Sequence, residues 1–273
     1  MPTSVAYDVS SLHHALHTDG IVALRGAFAP EWADRLREDL EELLAEALSR
    51  PDGAVGRGPN RYYVAIHPER LRGFVDIVTH PWFTAVCESV LGPDHRVVEV
   101  GFDVPLPGAV NQPWHRDFRS PPETYADRRI TSLAFNLTAV DTVPAMGPFE
   151  IAPGTHWEPG HHFDHGMFPP TSEYPRYQAM AVPKLPQRGD ISARSALTMH
   201  RGTANVSASA RPVLIVGVVA ASIVDSGHEL VLSREFHMSL PAPVRGRLSA
   251  RIVDELTPLE QQHTIEGLVM GEA

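Results

Sequence analysis

Between Pro30 and Arg50 the apolar residues keep a fixed step: Trp32, Leu36, Leu40, Leu44 and Leu48 stand four apart in the charged run PEWADRLREDLEELLAEALSR. A stripe at near-helical spacing predicts one amphipathic helix. Pro30 suits its first turn, where a missing N–H loses no partner. Ahead of it, GIVALRGAF carries the Val and Leu of a short strand. A second helical region, from about Pro68 to Leu91, holds Leu71, Phe74, Ile77, Phe83, Val86 and Val90, and Pro81 is expected to break it in two.

Beyond Gly92 the texture changes. RVVEVGFDVPL, ITSLAFNLTAV, GPFEIAP, DISAR and PVLIVGVVAAS are short β-rich runs separated by Gly, Pro, Asn and Asp, the signature of a sandwich or barrel. Arg245 to Leu256 is expected to return to helix. The plan that follows is mainly β with flanking α-helices, a single domain over 1–273. It has a helical N-terminal layer over about 1–92, a β-core over about 93–240 and a C-terminal helical segment over 241–273. Inside the core, residues 161–183 (HHFDHGMFPPTSEYPRYQAMAVP) are rich in Pro, His and aromatics without a period. A loop of that length is read as a lid over a binding site.

Composition narrows the partners. With 43% apolar and 21% charged residues the chain can bury a full core. A net charge of −10 argues against nucleic acid and anionic membrane surfaces, which require clustered Lys and Arg. No apolar run approaches the roughly 20 residues that span a bilayer, and a lone cysteine, Cys87, makes no intrachain disulfide. The expectation is a cytoplasmic protein.

The chemistry is expected around PWHRDF, residues 113–118. On a strand, His115 and Asp117 would share one face while Arg116 points away. Two imidazoles and one carboxylate on one face of a ferrous ion leave positions open for substrate and oxygen. The second histidine is best supplied by His200, which follows the β-like DISARSALTM and precedes the apolar run from Pro212. Arg211, eleven residues further on, enters that run. A cation entering a core needs an anion, and a dicarboxylate co-substrate would provide one. A rival cluster, His156, His161, His162, Asp164 and His165 in HWEPGHHFDH, offers zinc ligands. It is read as structural, with His156 capping a turn and the others on the lid.

The order WHRD, NLTAVDTVPAMGPFEIAPGTH, HRGTANVSASAR resembles the phytanoyl-CoA dioxygenase family of non-haem Fe(II), 2-oxoglutarate-dependent oxygenases. The likeness runs from about Gly20 to Ala221. It implies a double-stranded β-helix, or cupin-like jelly roll, with iron on His115, Asp117 and His200. It also implies Arg211 on the distal carboxylate of 2-oxoglutarate, Asn136 facing that co-substrate, and O2 as the second co-substrate. Gly202 stands where members often carry serine, which leaves Thr203 or Ser209 to supply the hydroxyl, and Gln112 is a further contact. Retention of Asp117 disfavours halogenation, leaving hydroxylation as the default, with desaturation, epoxidation, cyclisation and epimerisation as related outcomes. Substrate contacts are expected from Tyr62, Tyr63, Phe102, Phe118 and Arg119, which flank the iron segments, and from Arg176 on the lid. The substrate class implied is a natural-product biosynthetic intermediate. The alternatives are a jelly-roll metal-dependent isomerase or hydrolase that uses no 2-oxoglutarate, and an inactive jelly-roll binding protein.

Overall fold

The structure is a computed structural model that describes residues 7–117, 122–224, 226–261 and 270. The chain opens with α1 (Val9–Asp19), β1 (Ile21–Leu24), α2 (Pro30–Leu48), β2 (Val55–Gly56), β3 (Arg61–Ala65), α3 (Phe74–Val78) and α4 (Pro81–Val90). The middle holds β4 (Arg96–Pro105), α5 (Pro122–Ala126), β5 (Ser132–Thr138), β6 (Phe149–Ile151), α6 (Tyr174–Met180) and β7 (Val182–Pro183). β8 (Ile191–Ser195), β9 (His200–Gly202), β10 (Val213–Val219), β11 (Leu230–Ser233), α7 (Arg234–Ser239), α8 (Ala242–Arg245) and β12 (Ala250–Val253) complete it.

Seven strands form the major sheet in the order β1-β8-β5-β10-β4-β3-β2, and β7-β6-β9 form a minor one. Every pairing within these two sheets is antiparallel. The fold is the expected jelly roll, and strand parity decides what each side chain meets. Leu133, Phe135 and Leu137 of β5, Leu214 and Val216 of β10, and Val100, Phe102 and Val104 of β4 belong to one apolar core with Leu16, Trp32, Leu36, Leu40, Trp82, Phe83 and Val86 of the helices. The Phe83 and Phe135 rings stack at 4.1 Å, and Trp82 meets Phe135 edge-on at 6.2 Å. Intervening residues of the same strands, Ala134, Asn136 and Thr138, Val213 and Ile215, Glu99 and Asp103, line a cavity of about 390 Å³ between the major and minor sheets. One face of the sheet is thus glued to helices while the other is kept for chemistry.

Three expectations change. The first 92 residues hold more strand than the one expected before α2, because β2 and β3 join β1 in the major sheet and together form both of its edges. Arg61, at the head of β3, is 1% exposed. The C-terminal helix expected over 245–256 gives way to β12, paired in parallel with β11; Arg-Ile-Val carries two β-branched residues in sequence, which favour a strand. On α2 the buried side runs Trp32, Ala33, Leu36, Leu40, Leu43 and Ala47, with Leu48 exposed. A strict step of four advances about 40° beyond a full turn each time, so the stripe drifts off the core face within three turns. The break at Pro81 is present, with α4 beginning there.

Candidate active site

PWHRDF is not a full strand. His115 forms an isolated antiparallel bridge with His200, each donating its backbone N–H to the other's carbonyl at 2.9 Å. That bridge stitches the segment to β9, and Asp117 N donates to Ala196 O at 2.9 Å. The result matches what alternation would give: one ligand atom from each of His115, Asp117 and His200 lies within 4.8 Å of the others. His200 Nε2 is 3.3 Å from Asp117 Oδ1, and the two imidazole centroids are 4.3 Å apart. Arg116 turns away as expected, its guanidinium donating to Tyr125 Oη at 2.6 Å and to the Glu158 carbonyl at 3.0 Å.

Second contacts settle the tautomers. His115 Nδ1 lies 2.8 Å from the Pro113 carbonyl and His200 Nδ1 2.9 Å from the Thr198 carbonyl. A carbonyl only accepts, so each Nδ1 carries the proton and each Nε2 presents a lone pair to the cluster. Burial holds both imidazoles below their ordinary pKa, His115 well below, and mutual repulsion with His200 adds to this at His115. Burial opposes ionisation of Asp117, but the Arg194 guanidinium, bonded to Oδ2, and the two imidazoles hold its carboxyl well below the usual range. Two neutral imidazoles and an ionised carboxylate are the protonation states that a metal ion requires.

Arg211 lies at the far end of the same cavity, 4% exposed. Its Nε donates to the Gly147 carbonyl at 3.0 Å, and no carboxylate among the described residues pairs with it. Burial and the neighbouring Arg61 lower its pKa to about 10, so at neutral pH it is a cation facing the cavity. Asn136 and Gln112 line this space too. Gln112 clamps the two halves of the site, its Oε1 accepting from Gly202 N at 2.9 Å and its own N–H donating to Gly202 O at 2.8 Å.

Other expected contacts fall elsewhere. Thr203 Oγ1 donates to the Pro148 carbonyl at 2.7 Å, and Ser209 is an exposed turn residue whose carbonyl accepts from Asn205; neither lines the cavity. Phe102 is fully buried in the helix-side core, and Tyr62 packs against that core, whereas Tyr63, one residue on, faces the cavity. The error is one of parity, since adjacent strand residues point to opposite faces. Arg176 is half-exposed and bound to Glu158 Oε1 at 2.9 Å, away from the cavity. Phe118 and Arg119 lie outside the described residues. The 161–183 segment folds into an isolated bridge between Asp164 and Phe168, followed by α6 and β7, and sends Met167 to the cavity. The rival cluster of His156, His161, His162, Asp164 and His165 gathers no metal site among the described residues: His162 pairs with Glu173 at 2.6 Å, and His156 Nε2 donates to the His17 carbonyl at 3.1 Å.

Sequence reading missed Arg61, Arg194, Glu99 and Lys184, all on the cavity wall. A charged residue at alternate positions of an otherwise apolar strand, as in VVEVGFDV and DISARS, was the available signal.

A jelly roll that turns two imidazoles and a carboxylate into a cavity defines a mononuclear, non-haem metal enzyme. Residues 16–213 match the phytanoyl-CoA dioxygenase (PhyH) family. The chain belongs to this family of iron- and 2-oxoglutarate-dependent oxygenases. Solved structures share the fold. EctD from S. alaskensis, crystallised with 2-oxoglutarate and 5-hydroxyectoine, aligns with a TM-score of 0.63 at 16% identity over 81% of this chain and 79% of that one. The non-haem α-ketoglutarate-dependent carbocyclase SnoK from nogalamycin biosynthesis aligns at 0.63 and 19% identity over 81% and 87%. The epimerase SnoN from the same biosynthesis gives 0.59 and 20% over 78% and 81%.

Proposed function

We propose that this chain is an Fe(II)- and 2-oxoglutarate-dependent dioxygenase that oxidises a C–H bond of a small organic molecule, a natural-product intermediate by preference. His115, Asp117 and His200 would hold the iron, and Arg211 would receive the distal carboxylate of the keto acid. One observation carries the reading: a buried guanidinium without a carboxylate partner among the described residues stands in the same cavity as a His-Asp-His cluster whose Nε2 lone pairs face inward. The donor set suits ferrous iron, because imidazole and carboxylate occupy one face and leave the opposite one open to the cavity. When bound, iron, 2-oxoglutarate and O2 supply the oxidising chemistry, with the keto acid leaving as succinate and carbon dioxide.

The chain's own residues do the rest. The Pro113 and Thr198 carbonyls orient the imidazoles, Arg194 holds Asp117 ionised, and Asn136 presents an uncommitted amide to the cavity wall. Substrate would enter a second chamber of about 370 Å³, which shares Tyr63, Glu99, His115 and Asp117 with the first and extends to Phe168, Val231 and Leu259. Co-substrate and substrate would then approach the triad from different sides. That the fold neighbours SnoK and SnoN come from nogalamycin biosynthesis supports the substrate class.

The test is anaerobic. Adding 2-oxoglutarate to the Fe(II)-loaded protein should produce the weak visible charge-transfer band of a chelated keto acid. In Arg211→Ala that band should require about 100-fold more keto acid, because a lost pair of charge-assisted hydrogen bonds is worth roughly 3 kcal/mol. Stoichiometric iron without a band would move the assignment to a jelly-roll metal enzyme without a keto-acid co-substrate.

A further inference from the structure

The two ends of the cavity system differ in charge. Arg61, Arg211 and Lys184 line the co-substrate end, whereas the chamber on the Tyr63 side holds Glu99, Glu229 and Glu260 beside Arg57 and Arg116, with Arg116 committed to Tyr125 and the Glu158 carbonyl and Glu229 to Arg251. We propose that this second chamber binds a substrate bearing a protonated amine, with the Glu99 carboxylate as its counter-ion. The inference rests on the oxygenase reading and names the substrate class for the same site.

Glu99 sits on β4, half-buried, and Oε1 accepts a short hydrogen bond from Tyr63 Oη. Tyr63 is itself 8% exposed, so its hydroxyl is committed to this carboxylate. Burial and the Glu99 charge push the phenol pKa well up, which keeps the proton on Tyr63 and leaves Glu99 as the acceptor. Among the described residues no Lys, Arg or His pairs with Glu99. Arg57, which lines the same chamber, is stacked 4.3 Å from the centroid of the Tyr63 ring, where the aromatic face engages it. A half-buried carboxylate whose hydrogen-bond donor is neutral gains more from a bound cation than from a neutral hydroxyl.

Two glycines make this pair possible. A Cβ at Gly101 would lie 2.4 Å from Tyr63 Oη and 2.7 Å from Cζ, and one at Gly217 would lie 2.8 Å from Glu99 Oε2 and 2.9 Å from Glu99 Cβ. Both glycines are in mid-strand, on β4 and β10, where glycine weakens the sheet. Neither has a positive φ, so space rather than backbone conformation accounts for them. The strands therefore open room for the phenol and the carboxylate next to the triad.

The test uses three probes of one shape: cyclohexylmethylamine, cyclohexylmethanol and cyclohexanecarboxylate. Each is titrated calorimetrically at pH 7 into the full chain, with and without Fe(II) and 2-oxoglutarate. The amine is expected to bind at least about tenfold tighter than the alcohol, with the carboxylate weakest. Glu99→Gln should remove the preference for the amine while leaving alcohol binding within about twofold. Tyr63→Phe, which frees the carboxylate from its internal donor, should keep or strengthen that preference. Equal affinity for amine and alcohol, no amine binding, amine preference surviving in Glu99→Gln, or its loss in Tyr63→Phe overturns the proposal. The keto-acid band in the same samples reports on the oxygenase reading separately. A missing band with intact amine selectivity defeats that reading, whereas a normal band without selectivity defeats this one.

Discussion

Gly202 offers the sharpest test of how the site is packed. A methyl group at that position would lie 2.3 Å from Arg61 Nη1 and 2.7 Å from both Cζ and Nη2. The guanidinium is tied in place, since Arg61 is 1% exposed, Nη1 donates to Asp103 at 2.9 Å and Nη2 donates to the Thr203 carbonyl at 3.0 Å. Gly202 lies on β9 with no positive φ, so the substitution adds no backbone strain. Overpacking a filled interior costs about 1 to 3 kcal/mol. Pushing Arg61 off Asp103 adds part of the roughly 3 to 5 kcal/mol of a broken buried ion pair, and Asp103 Oδ1 already has no partner. We therefore expect Gly202→Ala to destabilise by about 2 to 4 kcal/mol. Urea denaturation would measure it in a double-mutant cycle with Arg61→Met. Arg61→Met is itself destabilising because it strands Asp103, but it also frees the space above Gly202. The alanine should then cost less than about 1 kcal/mol in the Arg61→Met background. Equal costs in the two backgrounds would refute the idea that Gly202 exists to admit Arg61.

Two further outcomes follow from the core and from a buried histidine. Phe135→Ala removes the ring that Phe83 stacks on and should cost about 3 to 5 kcal/mol in urea denaturation, lowering stability before it changes the opposite, cavity-facing side of β5. His156 is fully buried, and burial lowers its pKa from 6.5 to about 4. The unfolded chain takes up this proton at a pH where the folded chain refuses it, so stability is present above pH 6.5 and is lost as pH falls toward 4. That loss is on the order of 3 kcal/mol, and the difference in urea midpoint between pH 7 and pH 4.5 should shrink in His156→Gln, an unchanged difference speaking against the assignment.

Much of the fold was legible because the β-runs are separated by turn residues and each run has the length of one strand. The break at Pro81 and the strand before α2 were legible for equally local reasons. β3 was not, since Arg61 heads it and its polar cavity face interrupts the apolar pattern that marks a strand. At the site, His115, Asp117, His200 and Arg211 announce themselves by spacing and by the oddity of an arginine at the start of an apolar run. Tyr63 and Glu99 do not, because their meaning depends on which face of a strand looks into the cavity. A reading that picks Tyr62, Tyr63 and Phe102 together has no parity in it. The Tyr63–Glu99 contact also spans two strands, which places it beyond any local window.

The same parity explains why the polar residues cluster where they do. β4 alternates Val100, Phe102 and Val104 with Glu99, Gly101 and Asp103, so a single strand sends a carboxylate toward each end of the cavity. Asp103 is answered within the chain by Arg61, and that pairing leaves Arg211 and Lys184 at that end without a carboxylate partner among the described residues. Among the described residues, Glu99 has only the Tyr63 hydroxyl. A strand that carries two acids on its inner face, one neutralised and one not, has its uncompensated charge beside the triad, and on the side away from the uncompensated arginine. Two unpaired charges of opposite sign could have paired with each other had β4 and β10 been in another register. Their separation carries a standing desolvation cost that an anion at Arg211 and a cation at Glu99 would relieve together. On this reasoning each ligand should bind more tightly when the other end of the cavity is filled.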